Sequence, residues 1–208
     1  GFSHRRALPR SEGVAHSPPE GARMNRNIRL PWVLLAGLWA GAAVAEVRDA
    51  TPQGFTVENI VEVPVDRDAA WEALVGDIDD WWPRDHTWWG EASTLSITAR
   101  AGGCFCEKAP GGRQAEHLRV GFVHPGHTLR LVGGLGPLQG MGLHGALEFR
   151  LADAGPGRTR ITLWYRVGGY TPDDLSKFAP VVDRVQALQL GGLARHLGGA
   201  PAATEEER

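Results

Sequence analysis

Leu-His-Gly-Ala-Leu-Glu-Phe-Arg-Leu (143–151) and Thr-Arg-Ile-Thr-Leu-Trp-Tyr-Arg-Val (159–167), separated by Gly155-Pro156-Gly157, decide the fold of this chain. Leu143, Leu147, Phe149 and Leu151 fall on one side of the first run, against His144, Glu148 and Arg150. In the second run Ile161, Leu163, Tyr165 and Val167 oppose Arg160, Thr162 and Arg166. A period of two with one dry and one wet face predicts an antiparallel sheet covered on a single side.

The same signal continues upstream. Residues 94–99, 104–108, 114–124 and 128–132 read as strands, broken by Gly102-Gly103, Pro110-Gly111-Gly112 and Pro125-Gly126. Turn residues at such short intervals predict consecutive hairpins. Earlier still, 55–63 alternates as a strand and Pro64 ends it. A short helix is predicted over 69–74, with Asp66 and Asp68 at its positive end, and a second helical turn over 77–82, stopped by Pro83. Downstream, Leu175, Phe178, Val182, Val185 and Leu193 recur at helical spacing. Thr171 is the expected cap of this closing helix and Pro172 its first residue, with Pro180 kinking or breaking it. Gly191-Gly192 allows a close approach to the sheet or leaves a loose spot. The expected architecture is α+β: a curved seven-stranded antiparallel sheet wrapped around a long C-terminal helix, with two short helices after the first strand. A sheet curved around a helix leaves room for a cavity between them.

The ends of the chain read differently. Met24 opens a basic stretch with Arg26 and Arg29, an apolar run spans 30–42, and Ala43-Val44-Ala45 follows. Basic start, short apolar middle and A-x-A end predict a signal peptide over 24–45, cleaved before Glu46, and a periplasmic or secreted location. The run is well short of the ~20 residues of a membrane span. Residues 1–23 carry Arg, Pro, Ser and Gly without apolar periodicity and read as disordered, ahead of a misplaced translation start. Residues 46–53 are expected as a linker, 54–198 as the folded domain and 199–208 as a disordered tail. Beyond the expected cleavage point, six Arg and two Glu drop out of the totals of 22 basic and 24 acidic side chains, leaving a net charge of −6. That balance offers no general attraction to nucleic acid or to anionic membranes.

Several short stretches carry a family resemblance: 55–71, Gly102-Gly-Cys-Phe-Cys-Glu (102–107), Glu-His-Leu-Arg-Val (116–120), His124-Pro-Gly, Gly-Gly-Leu-Gly-Pro-Leu-Gln (133–139) and Gly168-Gly-Tyr. With the element order, they make the chain resemble the START/Bet v 1-like helix-grip superfamily (SRPBCC), in its bacterial polyketide cyclase/dehydrase-like or co-chaperone-activator-like branch. The resemblance implies the fold and an apolar cavity. It does not license a particular reaction.

Apolar inner-face positions make the expected ligand wall: Leu118, Val120, Phe122, Leu147, Phe149, Leu163 and Tyr165 from strands, Phe178 and Val182 from the helix. Trp88 and Trp89, beside His86 near the expected mouth, either clamp a ligand or plug the core. Glu107, Glu116 and His117 are the acid/base candidates, on strands flanking the Pro110 turn. Strict alternation sets Glu116 with Leu118, Val120 and Phe122, and His117 with Arg119, so at most one of Glu116 and His117 faces the cavity. Their place on solvent-facing strands would explain them without any catalysis. Cys104 and Cys106 are read as two reduced thiols, because residues i and i+2 of an extended strand lie about 6–7 Å apart; a bridge would require a bulge. His124, His127 and His144 lack metal-ligand spacing, and neither a phosphate-binding loop nor a dinucleotide fingerprint occurs. No metal or cofactor is expected. The readings that remain are a binding protein for a hydrophobic small molecule (lipid, polyketide or aromatic), a cyclase/dehydrase-type enzyme in the same cavity, and a protein-interaction module.

Overall fold

The two runs that open the sequence pair with each other as strands β7 (His144–Asp153) and β8 (Thr159–Gly168), Phe149 opposite Leu163 and Leu147 opposite Tyr165. The computed structural model describes residues 44–200. The disordered segment expected at 1–23, the signal peptide apart from its last two residues, and 201–208 lie outside the described residues.

Strands β1 (Val44–Thr51), β2 (Gly54–Val63), β3 (Thr94–Ile97), β4 (Cys104–Ala109), β5 (Arg113–His124) and β6 (Thr128–Val132) complete one antiparallel sheet in the order β1-β2-β8-β7-β6-β5-β4-β3. The sheet has eight strands where seven were expected. The extra one is β1, which occupies the segment read as a linker and folds back on β2. Its sequence, Val-Ala-Glu-Val-Arg-Asp-Ala-Thr, hides the strand because charge breaks the alternation. Charge suits an edge strand, where it discourages pairing with another chain. Arg48 answers both Glu46 on its own strand and Glu58 on β2.

Inner-face positions are buried as the alternation predicts: Leu147, Phe149, Leu151, Ile161, Leu163, Tyr165 and Val167. The outer face is polar but not bare. Glu148 lies between Arg130 and Arg150, and the Arg150 and Arg166 guanidinium groups stack over the Trp164 ring at 5.1 and 5.3 Å.

Helix α1 (Arg67–Gly76) begins where Asp66 accepts from the Ala69 N–H at 2.8 Å and buries Ala70, Trp71, Ala73 and Leu74. Helix α2 (Ile78–Trp81) follows at once and stops before Pro83. After the short α3 (Pro137–Gly140), the chain closes with α4 (Ala179–His196). Helix α4 starts later than expected. Thr171 bonds locally with Asp173, a 3-10 turn covers Leu175–Lys177, and Pro180 stands in the first turn of α4. There its missing N–H costs nothing, so it starts the helix and neither kinks nor breaks it.

Helix α4 crosses the inner face against β2, where Asn59 donates to Asp183 at 3.0 Å. Gly192 lets α4 close on α2: a Cβ there would lie 2.2 Å from the Trp81 carbonyl oxygen. Gly192 therefore serves a close approach, to a helix and not to the sheet.

Candidate functional site

A cavity of about 450 Å³ lies under α4. The sheet supplies His117 and Tyr165, and the 135–138 segment adds Leu135 and Leu138. Trp82, His86, Thr87 and Trp88 come from the connection after α2. Helix α4 and its approach contribute Phe178, Val182 and Val185, then Gln186 and Gln189 further along. Trp88 and Val181, each half exposed, mark where the cavity meets solvent.

Four of the expected wall residues line this space: Trp88, Tyr165, Phe178 and Val182. Leu118, Leu147, Phe149 and Leu163 instead surround a neighbouring void of about 10 Å³, so they form a packed floor. Val120 is buried but touches neither space. Trp89 stays outside the cavity, under the Arg113 guanidinium at 5.8 Å. Phe122 was expected inside and is 43% exposed, with Arg130 stacked on its ring at 5.2 Å. The reason is a register shift in β5: Val120 pairs with Leu131 but Phe122 with Arg130, so Gly121 is an extra residue and reverses the faces beyond it.

A second shift decides the acid/base candidates. Phe105 pairs with Leu118 and Cys106 with Glu116, leaving His117 as the added residue of a β-bulge. His117 and Leu118 consequently both turn inward, while Glu116 faces solvent and pairs with Arg119. The expectation that His117 shares a face with Arg119 fails for this reason. Cys104 and Cys106 flank the same bulge and are bridged, with Cα atoms 5.4 Å apart. The reading as free thiols is overturned: the irregular pairing brings the two closer than a regular strand allows.

Glu107, on the opposing strand, is fully buried and joined to His117, whose Nε2 lies 2.7 Å from Glu107 Oε2. Three more donors converge on this carboxyl: the Trp88 N–H at 2.9 Å, the Trp89 N–H at 3.2 Å and the Ser93 hydroxyl. Burial pushes Glu107 up, but the hydrogen bonds from Ser93, Trp88 and His117 outweigh it and hold the carboxyl below its ordinary value. A carboxylate can only accept, so the imidazole proton sits on Nε2. Among the described residues Nδ1 has no hydrogen-bond partner, and His117 borders the cavity. Burial pulls the His117 imidazole below its ordinary value, against the opposing hydrogen bond and charge of Glu107. The pair is thus a neutral imidazole backed by a carboxylate.

The other polar groups of the wall are of two kinds. The Tyr165 hydroxyl accepts from the Leu135 N–H at 3.0 Å and lies 3.4 Å from the Gly133 carbonyl; burial raises it to about 12, so it stays protonated. Gln186 and Gln189, in contrast, are buried with amide atoms that lack partners. Sequence reading missed both, together with Trp82. The signal was present: from Phe178 and Val182, helical spacing leads to Gln186 and Gln189, two amides continuing an apolar stripe. The rim is held firmly, since Arg84 joins Asp79 and the Ser93 carbonyl, each at 3.0 Å, while Glu107 holds Trp88 and Trp89. Among the described residues no three His, Cys, Asp or Glu stand together in a way that could hold a metal ion.

No family model matches the sequence, and no curated protein matches it. Solved structures share the fold. CalU16 from Micromonospora echinospora is 15% identical with a TM-score of 0.52, the match covering 80% of this chain and 89% of that one. A protein from Arthrobacter aurescens, solved by solution NMR, is 15% identical with a TM-score of 0.52, covering 81% and 98%. These likenesses support a helix-grip-like α+β fold.

Proposed function

We propose that this chain is an exported member of the START/Bet v 1-like superfamily that binds a hydrophobic small molecule, such as a lipid, polyketide or aromatic, beneath α4. The observation that carries the reading is the cavity itself. Its volume of about 450 Å³ lies within the range of small-molecule sites, and its walls are mainly aliphatic and aromatic. A protein-interaction module would have this space filled. Export is supported by the signal-peptide pattern over 24–45 and by the Cys104–Cys106 bridge, a bond that persists in oxidising compartments. Cleavage before Glu46 leaves 46–51 of β1 in place.

Magnitudes limit what the apolar wall can do alone. A ligand burying roughly 300 Å² of apolar surface gains about 7.5 kcal/mol at about 25 cal/mol per Å². Association removes at least about 4 kcal/mol of that. The remainder corresponds to millimolar binding, so tighter binding draws on polar contacts such as Gln186, Gln189 and His117. Titration with N-phenyl-1-naphthylamine tests the reading: a saturable, one-to-one fluorescence rise is expected. Absence of saturable binding, or unchanged binding after Val182→Trp, would overturn it.

A further inference from the structure

Three features of the cavity belong together. His117 lines it, with Nε2 held by Glu107 and Nδ1 without a hydrogen-bond partner among the described residues. Helix α4 carries Gln186, with both amide atoms unpartnered, and one turn on Gln189, with Oε1 unpartnered. No Lys or Arg is among the lining residues, so nothing there matches an anionic headgroup. The hydroxyls are committed elsewhere: Thr87 bonds the Arg84 carbonyl and Tyr165 bonds the 133–135 backbone. The wall therefore offers a base and a neutral hydrogen-bond donor, the Gln186 amide, but no free nucleophile.

We propose that the cavity is a proton-transfer site for a neutral carbonyl compound with an apolar body: His117 is its general base, Glu107 positions His117, and the Gln186 amide of α4 holds the carbonyl oxygen. This rests on the small-molecule reading above. The α C–H bond breaks and its proton goes to His117 Nδ1. The C–H electron pair becomes the new C=C bond, and the carbonyl π pair moves onto oxygen, where Gln186 Nε2 donates. Glu107 stabilises the imidazolium so formed. Return of the proton to carbon restores the keto form and the neutral imidazole, with no other reactant. Burial keeps His117 neutral near pH 7, the form that accepts a proton. Besides His117, which Glu107 backs from outside the cavity, the titratable groups lining the space are Asp85, His86 and Tyr165.

The test is α-proton exchange of 2-tetralone in D₂O, followed by NMR on the purified chain, with binding read from chemical shifts in the same samples. General-base catalysis predicts exchange about 100-fold or more above protein-free buffer. The rate should fall as pH drops below the ordinary histidine value of 6.5. His117→Gln should bind the ketone and lose the acceleration. Glu107→Gln should move the acid limb to lower pH, because the carboxylate raises His117. Gln186→Leu, which leaves the pair intact, should slow exchange at least tenfold. Binding of 2-tetralone with exchange no faster than buffer, or full acceleration in a folded His117→Gln protein, would overturn the proton-transfer inference and leave the binding reading standing. No binding at millimolar ketone would overturn both.

Discussion

Glu107 draws donors from three segments of chain: Trp88, Trp89 and Ser93 from the rim, and His117 across the hairpin. Removing it strands all of them in a buried place. Glu107→Ala should therefore cost about 3–5 kcal/mol in urea denaturation, and Glu107→Gln less, since an amide keeps an acceptor. The pair also makes stability pH-dependent. Both groups bind protons less readily folded than unfolded, so the unfolded chain takes up more protons on acidification and stability falls with pH. For His117 the loss begins as pH drops below its ordinary 6.5, and for Glu107 below 4.5. His117→Gln should lose less stability than the wild type between about pH 7 and pH 5, measured by urea midpoints. Hairpin adjacency in the sequence was enough to place Glu107 and His117 among the candidates. Which way His117 points was not legible, because one added residue in β5 reverses a face and leaves no mark in composition. The unpartnered glutamines were legible in principle, as amides on an apolar helical stripe.

At the scale of elements, strong periodicity carried over and weak periodicity did not. Strands β7 and β8 follow the alternation that predicted them, and α1 is capped by the expected acid, Asp66. Strand β1 escaped because Glu46, Arg48 and Asp49 interrupt its pattern, and the start of α4 was misplaced because Thr171-Pro172 imitates a helix start that Pro180 actually provides. The Gly192 contact between α4 and α2 has no local signature beyond the glycine pair. Gly192→Val should cost at least about 1–3 kcal/mol, because its Cβ meets backbone and not a movable side chain. The Cys104–Cys106 bridge closes a loop of sequence separation 2. Its chain-entropy contribution is accordingly small, roughly 1–2 kcal/mol. A Cys104→Ser/Cys106→Ser protein should remain folded, with a urea midpoint only modestly lower than that of the oxidised wild type.

For the whole molecule, the central claim is that the space between sheet and α4 is kept open for a ligand. A fold maintained only for stability would fill about 450 Å³ with side chains, since interiors pack nearly as tightly as organic crystals. Here the rim is clamped by Arg84 and Glu107 while the interior is left open, an arrangement that favours a preformed site. The general shape was readable from element order; the cavity's polar groups depend on bulges and helix phase, which only the three-dimensional structure reveals. The most direct measurement is native mass spectrometry of the purified chain, before and after incubation with N-phenyl-1-naphthylamine, alongside Val182→Trp. A single co-purifying or added apolar molecule on the wild type, missing from a folded Val182→Trp protein, is the predicted result. A wild-type chain that arrives empty and takes up no probe, or a filled-cavity variant that binds equally well, would contradict the claim.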